Sequence, residues 1–485
     1  MNILKATMDF ISKNALKIIF SIIGIFALFI KAMYCFDDSP YFTSNTIYDL
    51  ILFFVSLFIF ITIIKFLSFI QNKLNYKIVF AVFMICAILF IILVPLKPFS
   101  DMNAIYNGAL HFSRFEFKEL FSDTYWSVFP GNIVLAIFWG IILIPLPKSV
   151  ITVKIINAIL LYIIAAISRN IAKEYNVENY NLVYILLLTA SPLFLYINHI
   201  YFDLPIILIS MLALYLFIKG KNIFLIFTLL GIGKYIRSSV SIIMVAILFI
   251  YFFNYKSNTN DSKPRRNYIK NIILAITLFI ILGSGLPKIV LRLCYGNEPI
   301  KSYSGWNQIY IGLNESEFGF MDNDFSYDRS FEDIVNRVTD YGPAKLTKIL
   351  TKKTFWLWSQ GTYQAERYAF GPDVEHSSDK FQYDTFLTKH LLNSSQELRK
   401  IINAFMRSQY LILFFLMIFA FWTENNMEHY RIFYYIFFAT FLIMLIYELK
   451  SRYILQLLPM MTIFSVRGVN NLQQFLENKR TRNSV

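Results

Sequence analysis

The chain has 485 residues, of which 57% are hydrophobic, 18% aromatic and 16% charged, with a formal net charge of +14. This composition excludes an ordinary soluble domain and indicates a polytopic helical membrane protein, because each crossing needs about 20 predominantly apolar residues. Nucleic-acid binding is also excluded, since the lysines and arginines lie mostly in short loops and form no basic stripe interleaved with aromatic residues.

Apolar runs recur along the chain and predict an all-α fold of about 11–13 membrane spans. The predicted spans lie near 15–33, 47–69, 76–95, 151–168, 182–199, 204–218, 223–236, 239–253, 271–289, 409–423, 431–447 and 452–467. The polar and aromatic segment 290–405 predicts a small mixed extracytoplasmic domain. The expected organisation therefore begins with a transmembrane region at 1–289, which carries two outer loops at 96–131 and 199–204. The extracytoplasmic domain follows at 290–405, then C-terminal transmembrane helices at 406–467 and a cytoplasmic tail at 468–485.

Basic residues in short loops set the predicted orientation, because such loops stay in the cytoplasm. Lys73, Arg169 and Lys219 lie in such loops, which leaves the two outer loops and 290–405 outside. The apolar stretch 132–146 would invert this arrangement if it crossed the membrane. It is short and flanked by Pro130 and Pro145, so we expect an interfacial or re-entrant helix.

Two aspartates lie just beyond the outer ends of apolar runs. Asp101 is in the first outer loop and Asp203 follows Tyr201 in the second. A carboxylate near the interface can act as a general base, because a substrate hydroxyl approaches it from the aqueous side. The two acids could also share a divalent cation, Mg²⁺ or Mn²⁺. The alternatives are a solvated loop aspartate for Asp101 and a helix N-cap before Pro205 for Asp203.

Cationic residues interrupt a third apolar region. Arg237 and Lys234 lie in the stretch 231–239, which is flanked by apolar helix and also carries two serines. Arginine suits bidentate phosphate recognition, so Arg237 predicts contact with a lipid phosphate at headgroup depth. The alternative is an arginine that merely extends its charge to the interface.

The segment between the last two predicted spans carries further polar candidates. Glu448, Arg452 and Tyr453 are expected on the same outer face as Arg237. Arg452 would add a second cation at the headgroup plane. The alternative is a structural ion pair, since Glu448 and Arg452 are four residues apart and would face each other on a helical turn.

Taken in order, these residues resemble bacterial glycosyltransferases of the GT-C superfamily. The resemblance runs from about 90 to 465 and rests on Asp101, the stretch Tyr-Trp-Ser-Val-Phe-Pro-Gly-Asn from Tyr125, Tyr201-Phe202-Asp203, Ile236-Arg237, Glu448 and Arg452-Tyr453. The stretches 306–314 and 358–363 also resemble Gram-positive members that build cell-surface glycans.

The resemblance implies an inverting sugar transfer from a polyprenyl-phosphate donor. Asp101 would be the base, and Arg237, with Lys234 and Arg452, would stabilise the leaving phosphate. Asp203 would orient donor or acceptor, directly or through a divalent cation. Substrate contacts would also come from three other residues, Tyr201, Glu448 and Tyr453.

The resemblance also implies the partners and the location. The acceptor would be a cell-surface glycan, a teichoic acid or a lipid-linked saccharide. The protein would be a multi-pass cell-membrane protein surrounded by membrane lipids, with its active site facing the extracytoplasmic side.

This chain departs from the family pattern at two places. It carries an additional hairpin of spans before the first outer loop, and Ser238-Ser239 stand where a second proline-rich motif is common.

Two other classes of membrane protein remain open. A polymerase of the O-antigen or capsule type would share the large outer loop and the arginines. A flippase or transporter would need polar groups deep within its spans.

Overall fold

The protein is described by a computed structural model over residues 2–34, 40–129, 131–254, 265–285, 288–289, 292, 305–320, 329–371, 380–391, 397–424 and 427–483. Helices dominate these residues, as predicted, and the described strands form one two-stranded antiparallel sheet. Within the described part, six helices are long and apolar enough to cross a membrane, or seven if a bent pair counts as one span.

The N-terminal part contains three long helices and the β-hairpin. The elements are α1 (Asn2–Phe29), β1 (Ile30–Tyr34), β2 (Pro40–Ser44), α2 (Ile47–Ile70) and α3 (Tyr76–Leu93). The side chains of Thr46 and Asn75 accept hydrogen bonds from backbone N–H groups in the first turns of α2 and α3, which supplies partners for otherwise unpaired donors. The hairpin was not predicted, because residues 30–33 were assigned to the first span.

The first outer loop folds into three short helices, and the apolar stretch after it forms a fourth. They are α4 (Ser100–Ser113), α5 (Phe117–Ser122), α6 (Tyr125–Val128) and α7 (Asn132–Leu143). Helix α7 packs against α4, and the Tyr106 hydroxyl donates to the Lys148 carbonyl just after α7. Helix α7 has 12 residues, about 18 Å of helix, which is too short to cross the hydrocarbon core.

The central bundle contains one long helix and several shorter ones. Its helices are α8 (Val150–Glu174), α9 (Tyr180–Leu188), α10 (Ser191–Leu195), α11 (Asp203–Ile218), α12 (Ile223–Ile236), α13 (Ser241–Asn254) and α14 (Arg265–Ile280). Helix α9 and the segment from Ser191 to Asn198 are bent by 45° at their junction. The shorter apolar helices have 10–17 residues, so fewer helices are long enough to cross a membrane than the 11–13 spans predicted.

The C-terminal part is also helical. Its helices are α15 (Gly305–Gly312), α16 (Phe331–Ser359), α17 (Ala365–Phe370), α18 (Phe386–Leu391), α19 (Glu397–Thr423), α20 (Met427–Ile446) and α21 (Leu458–Asn483). A 3₁₀ segment, Ser451–Leu457, precedes α21. In the described residues of 290–405 the elements are helices and the isolated bridge from Leu96 to Phe381. The predicted boundary at 405 falls inside α19.

Polar contacts gather at two opposite ends of the bundle. At one end, the basic end, the C-termini of α8 and α11 meet through Lys219 Nζ and Glu174 Oε1, 2.5 Å apart, and Arg169 Nε donates to Asn181 Oδ1 over 2.7 Å. At the other end, the site end, Lys154 Nζ near the start of α8 donates to the Leu96 carbonyl over 2.8 Å. Helix α8 therefore runs from the site end to the basic end.

Candidate functional site

Asp101 lies in the first turn of α4, at the site end. The positive end of the helix dipole favours a negative charge at this position. The Tyr201 hydroxyl donates to Asp101 Oδ2 over 3.4 Å. Asn132 Nδ2 donates to the hydroxyl oxygens of Tyr125 and Tyr201, over 2.6 Å and 3.3 Å. The first and second outer loops thus meet around one carboxylate, which remains partly exposed.

The two tyrosines stay protonated beside this acid. Burial raises the pKa of the Tyr125 and Tyr201 hydroxyls, and the nearby Asp101 charge raises it further. Both phenols are therefore fixed hydrogen-bond donors. They can orient the Asp101 carboxylate without taking the proton that a base must accept.

Asp203 is the first residue of α11 and is buried, with 4% of its surface exposed. His199 Nδ1 lies 3.0 Å from Asp203 Oδ2, and Arg237 NH1 lies 3.5 Å from Asp203 Oδ1. Burial lowers the pKa of His199, which favours the neutral imidazole. The N-cap of α11 is Phe202, so Asp203 is not the N-cap considered above, and its carboxylate instead holds Arg237 and His199 in place.

Arg237 lies in the extended junction between α12 and the following 3₁₀ turn. Its guanidinium carbon is 4.2 Å from the centre of the Phe202 ring and 4.4 Å from that of Tyr453. Each cation–π contact of this kind stabilises by about 0.5–2 kcal/mol, depending on desolvation. The two rings and Asp203 fix the direction of the guanidinium group.

Arg452 lies close to the same aromatic residues. Its guanidinium carbon is 5.0 Å from the centre of the Tyr368 ring and 5.4 Å from that of Tyr201. Its Nε is buried and has no hydrogen-bond partner among the described residues. This N–H can only donate, and it needs an acceptor oxygen, so Arg452 is suited to an anion.

Glu448 pairs differently from the helical alternative. Residues 447–450 are not helical. Glu448 Oε1 lies 2.7 Å from Lys450 Nζ, and Glu448 Oε2 accepts from the Tyr453 hydroxyl over 2.5 Å. Glu448 therefore orients the tyrosine ring that packs on Arg237. The alternative considered above, a helical turn on which Glu448 faces Arg452, is therefore not what the structure has.

A pocket of about 320 Å³ lies beside Arg237, between α13 and α20. Its polar end is lined by Arg237, Tyr447, Tyr453 and the serines 238, 239 and 241. The rest of its lining is apolar and includes Val245 and Ile443, which are 38% and 39% exposed. The pocket thus combines a cationic, hydroxyl-rich end with a hydrocarbon wall open to the side of the bundle. Asp101 is not among its lining residues.

Two expectations are not met by this geometry. Lys234 Nζ donates to Ser284 Oγ over 2.7 Å and lies over the Phe279 ring, so its contacts are away from Arg237. Asp203 lies within 3.5 Å of His199 and Arg237, and no group of three or more His, Cys, Asp or Glu side chains in the described residues could hold a metal ion. These residues do not fit the expected divalent cation.

Three residues of the site have no role predicted from the sequence. His199, Phe202 and Tyr368 contact the predicted acids and arginines, and the His199 and Tyr368 rings are 4.3 Å apart between centres. His199 and Phe202 lie next to Tyr201 in the second outer loop, which was the available signal. Tyr368 comes from α17, far away in sequence, and nothing local distinguishes it.

Comparison of the chain with protein-family models, curated proteins and solved structures gave no match.

Proposed function

We propose that the protein is an integral-membrane glycosyltransferase of the GT-C type, which moves a sugar from a polyprenyl phosphate to an acceptor hydroxyl. The observation that carries the proposal is the contact chain from Asp101 through Tyr201 and Phe202 to Arg237. It joins a partly exposed carboxylate to a cation at the mouth of an amphipathic pocket.

The pocket beside Arg237 suits a lipid phosphate. The phosphate would lie against Arg237 and the serine hydroxyls, while the first part of the lipid chain would lie along Val245 and Ile443. An arginine held by Asp203 and two aromatic rings is already oriented, so little reorganisation is needed as charge develops. Arg452, with its unpaired Nε, would supply the second guanidinium.

Asp101 would accept the proton of the acceptor. The acceptor oxygen forms a bond to the anomeric carbon as the bond from that carbon to the phosphate oxygen breaks. The hydroxyl proton goes to Asp101, and the bonding electrons leave with the polyprenyl phosphate, next to the arginines. Attack from the face opposite the phosphate inverts the anomeric configuration.

The site is proposed to face the extracytoplasmic side. The basic loops that favour the cytoplasm lie at the basic end, whereas the candidate site residues lie at the site end. A donor with its phosphate at headgroup depth would reach the site from the outer leaflet.

The test is a transfer assay with purified protein in nanodiscs. Tritiated mannose, glucose, galactose and N-acetylglucosamine would each be offered on undecaprenyl phosphate, with lipid and glycan extracts of the producing cells as acceptors. We expect one donor to release undecaprenyl phosphate and to label one acceptor fraction. Elongation of lipid-linked repeat units without use of any monosaccharide donor would contradict the proposal and identify a polymerase.

A further inference from the structure

A second cavity, the lateral groove, lies between the α2–α3 hairpin and the rest of the bundle. Its volume is about 900 Å³. Its walls come from α2 and α3 on one side and from α9, α10, α17, α18 and α19 on the other. The groove runs from Leu74, at the basic end, to Phe370 and Leu391, near the site end.

Hydrocarbon is the chemistry that fits the lateral groove. None of its lining residues is charged, and its only side chains with a heteroatom are Ser56, Cys86, Thr189 and Ser191. Water would find too few polar partners there, because a buried water needs two to four. Helices α2 and α3 are only 22% and 17% buried over their apolar windows, so the groove lies where lipid surrounds the protein.

The groove ends next to the candidate site. Phe370 lines the end of the groove. It is two residues after Tyr368, whose ring packs on His199 and Arg452. Leu195, in its wall, directly precedes Tyr196, whose ring centre is 5.2 Å from that of His199. A chain in the groove would therefore bring its head group to the Tyr368 and His199 side of the site.

The lateral groove and the pocket beside Arg237 are built from different helices. The pocket is lined by residues of α13, α20 and the segments next to them, and no residue lines both cavities. A transferase that acts on a soluble acceptor needs one lipid site. Two separate cavities with apolar walls, one containing Arg237 and the other ending at residues next to Tyr368 and Tyr196, match a reaction between two lipids.

We propose that the acceptor is a lipid-linked saccharide whose polyprenyl chain lies in the lateral groove. This inference rests on the proposed glycosyl transfer. The saccharide head would lie beside Tyr368 and His199 and present a hydroxyl to Asp101, while the donor occupies the pocket beside Arg237. The α2–α3 hairpin, which the family resemblance does not account for, then forms one wall of the acceptor site.

Cys86 provides a probe inside the groove, since it is exposed and lines it. With Cys35→Ala and Cys294→Ala in place, Cys86 would carry a benzophenone maleimide, and the protein would be irradiated in nanodiscs. Three nanodisc compositions would be compared: phospholipid alone, phospholipid with undecaprenyl phosphate mannose, and phospholipid with undecaprenyl diphosphate N-acetylglucosamine. Mass spectrometry would identify the lipid attached.

We expect the diphosphate-linked saccharide to form a fraction of the adducts at least fivefold larger than its fraction of the nanodisc lipid. The control is the same label on the outward face of α3, in Cys86→Ala with Ile85→Cys. Ile85 is 57% exposed and does not line the groove, and its adducts should follow lipid abundance. Adducts at Cys86 that also follow abundance, or that favour the phosphomannose lipid, would overturn the inference.

A bulky residue in the facing wall supplies a second test. Val55→Trp narrows the groove from α2 and should lower the saccharide-lipid adduct at Cys86 at least fivefold. Ile51→Trp, on a residue of α2 that is 57% exposed and outside the lining, should not. Equal adducts in both variants would count against the groove as the acceptor site.

These experiments need no turnover. Their outcome is therefore separate from that of the transfer assay: transfer without preferential adducts would overturn the lipid-linked acceptor and leave the glycosyltransferase proposal standing.

Discussion

Arg237 and Arg452 depend on aromatic rings as much as on carboxylates. Arg237 lies between Phe202 and Tyr453 with Asp203 at one side, and Arg452 lies among Tyr201 and Tyr368. Rings orient a planar guanidinium without neutralising it, so its positive charge stays available to a phosphate. Lysine lacks the planar group that stacks and binds bidentately.

Arg237→Lys keeps the charge and removes the stacking and the bidentate geometry. We expect the KM for the polyprenyl-phosphate donor to rise about tenfold, which corresponds to about 1.4 kcal/mol, with the acceptor KM unchanged. Initial rates in the nanodisc assay would measure both constants. Lys234→Ala is the matched control, because Lys234 contacts Ser284 and should leave the donor KM unchanged. An equal effect of both substitutions would contradict the phosphate assignment.

The candidate site residues that the sequence singles out are those whose charge conflicts with a lipid environment. Asp101, Asp203 and Arg237 stand out because charges are expensive next to apolar runs, and the structure brings them together. Lys234 is also a charge next to an apolar run, but its side chain projects from α12 towards Ser284 and donates to that residue. Tyr368 carries no charge and comes from a distant helix, so only tertiary structure reveals it.

At the scale of elements, close helix packing limits what substitutions the bundle accepts. Gly468 in α21 faces α19, and a Cβ built on it would lie 2.1 Å from the Leu416 carbonyl oxygen. Small residues at such contacts let helix backbones approach in membranes. The neighbour here is backbone, which cannot move aside as a side chain can.

Gly468→Ala should therefore destabilise the protein by about 1–3 kcal/mol, the usual cost of overpacking. Unfolding in mixed micelles with increasing dodecyl sulfate would measure the change. At Gly131 an added Cβ meets nothing within 4 Å. Gly131→Ala should therefore unfold at the same dodecyl sulfate midpoint as the unsubstituted protein. If the two variants are equally stable, the α19–α21 contact is looser than described.

Helix positions followed from apolar runs, whereas helix lengths did not. Helices α2, α3 and α8 lie within a few residues of the predicted spans 47–69, 76–95 and 151–168, or extend them. The central helices are shorter, because the chain turns at polar residues such as Asp203 and Arg237 to build the site end. The β-hairpin was not predicted, because β1 follows α1 without a break and hydropathy alone does not distinguish such a strand from the end of the apolar helix.

At the scale of the whole molecule, the two ends differ in chemistry. The basic end holds the loops rich in lysine and arginine, and the site end holds the acids and arginines of the candidate site. Helix α7 does not cross, since α8 begins again at the site end with Lys154 bonded to Leu96. This arrangement keeps Asp101 and Asp203 at the same end.

Sidedness can be measured with single cysteines in a variant in which Cys35, Cys86 and Cys294 are alanine. Lys97→Cys, close to Asp101 in sequence, should react with a membrane-impermeant maleimide added to intact cells. Lys73→Cys, in the loop after α2, should react only after permeabilisation. Both side chains are exposed, so a difference reports location. The reverse pattern would place the candidate site in the cytoplasm.

The most direct test of the account is the rate of sugar transfer by Asp101→Asn in the nanodisc assay. Glu119→Gln makes the same chemical change on an exposed acid of the first outer loop and serves as the control. We predict that Asp101→Asn remains folded by size-exclusion chromatography and loses about 10²–10⁴-fold in rate, while Glu119→Gln transfers normally. Transfer by Asp101→Asn at the unsubstituted rate would contradict the assignment of Asp101 as the base.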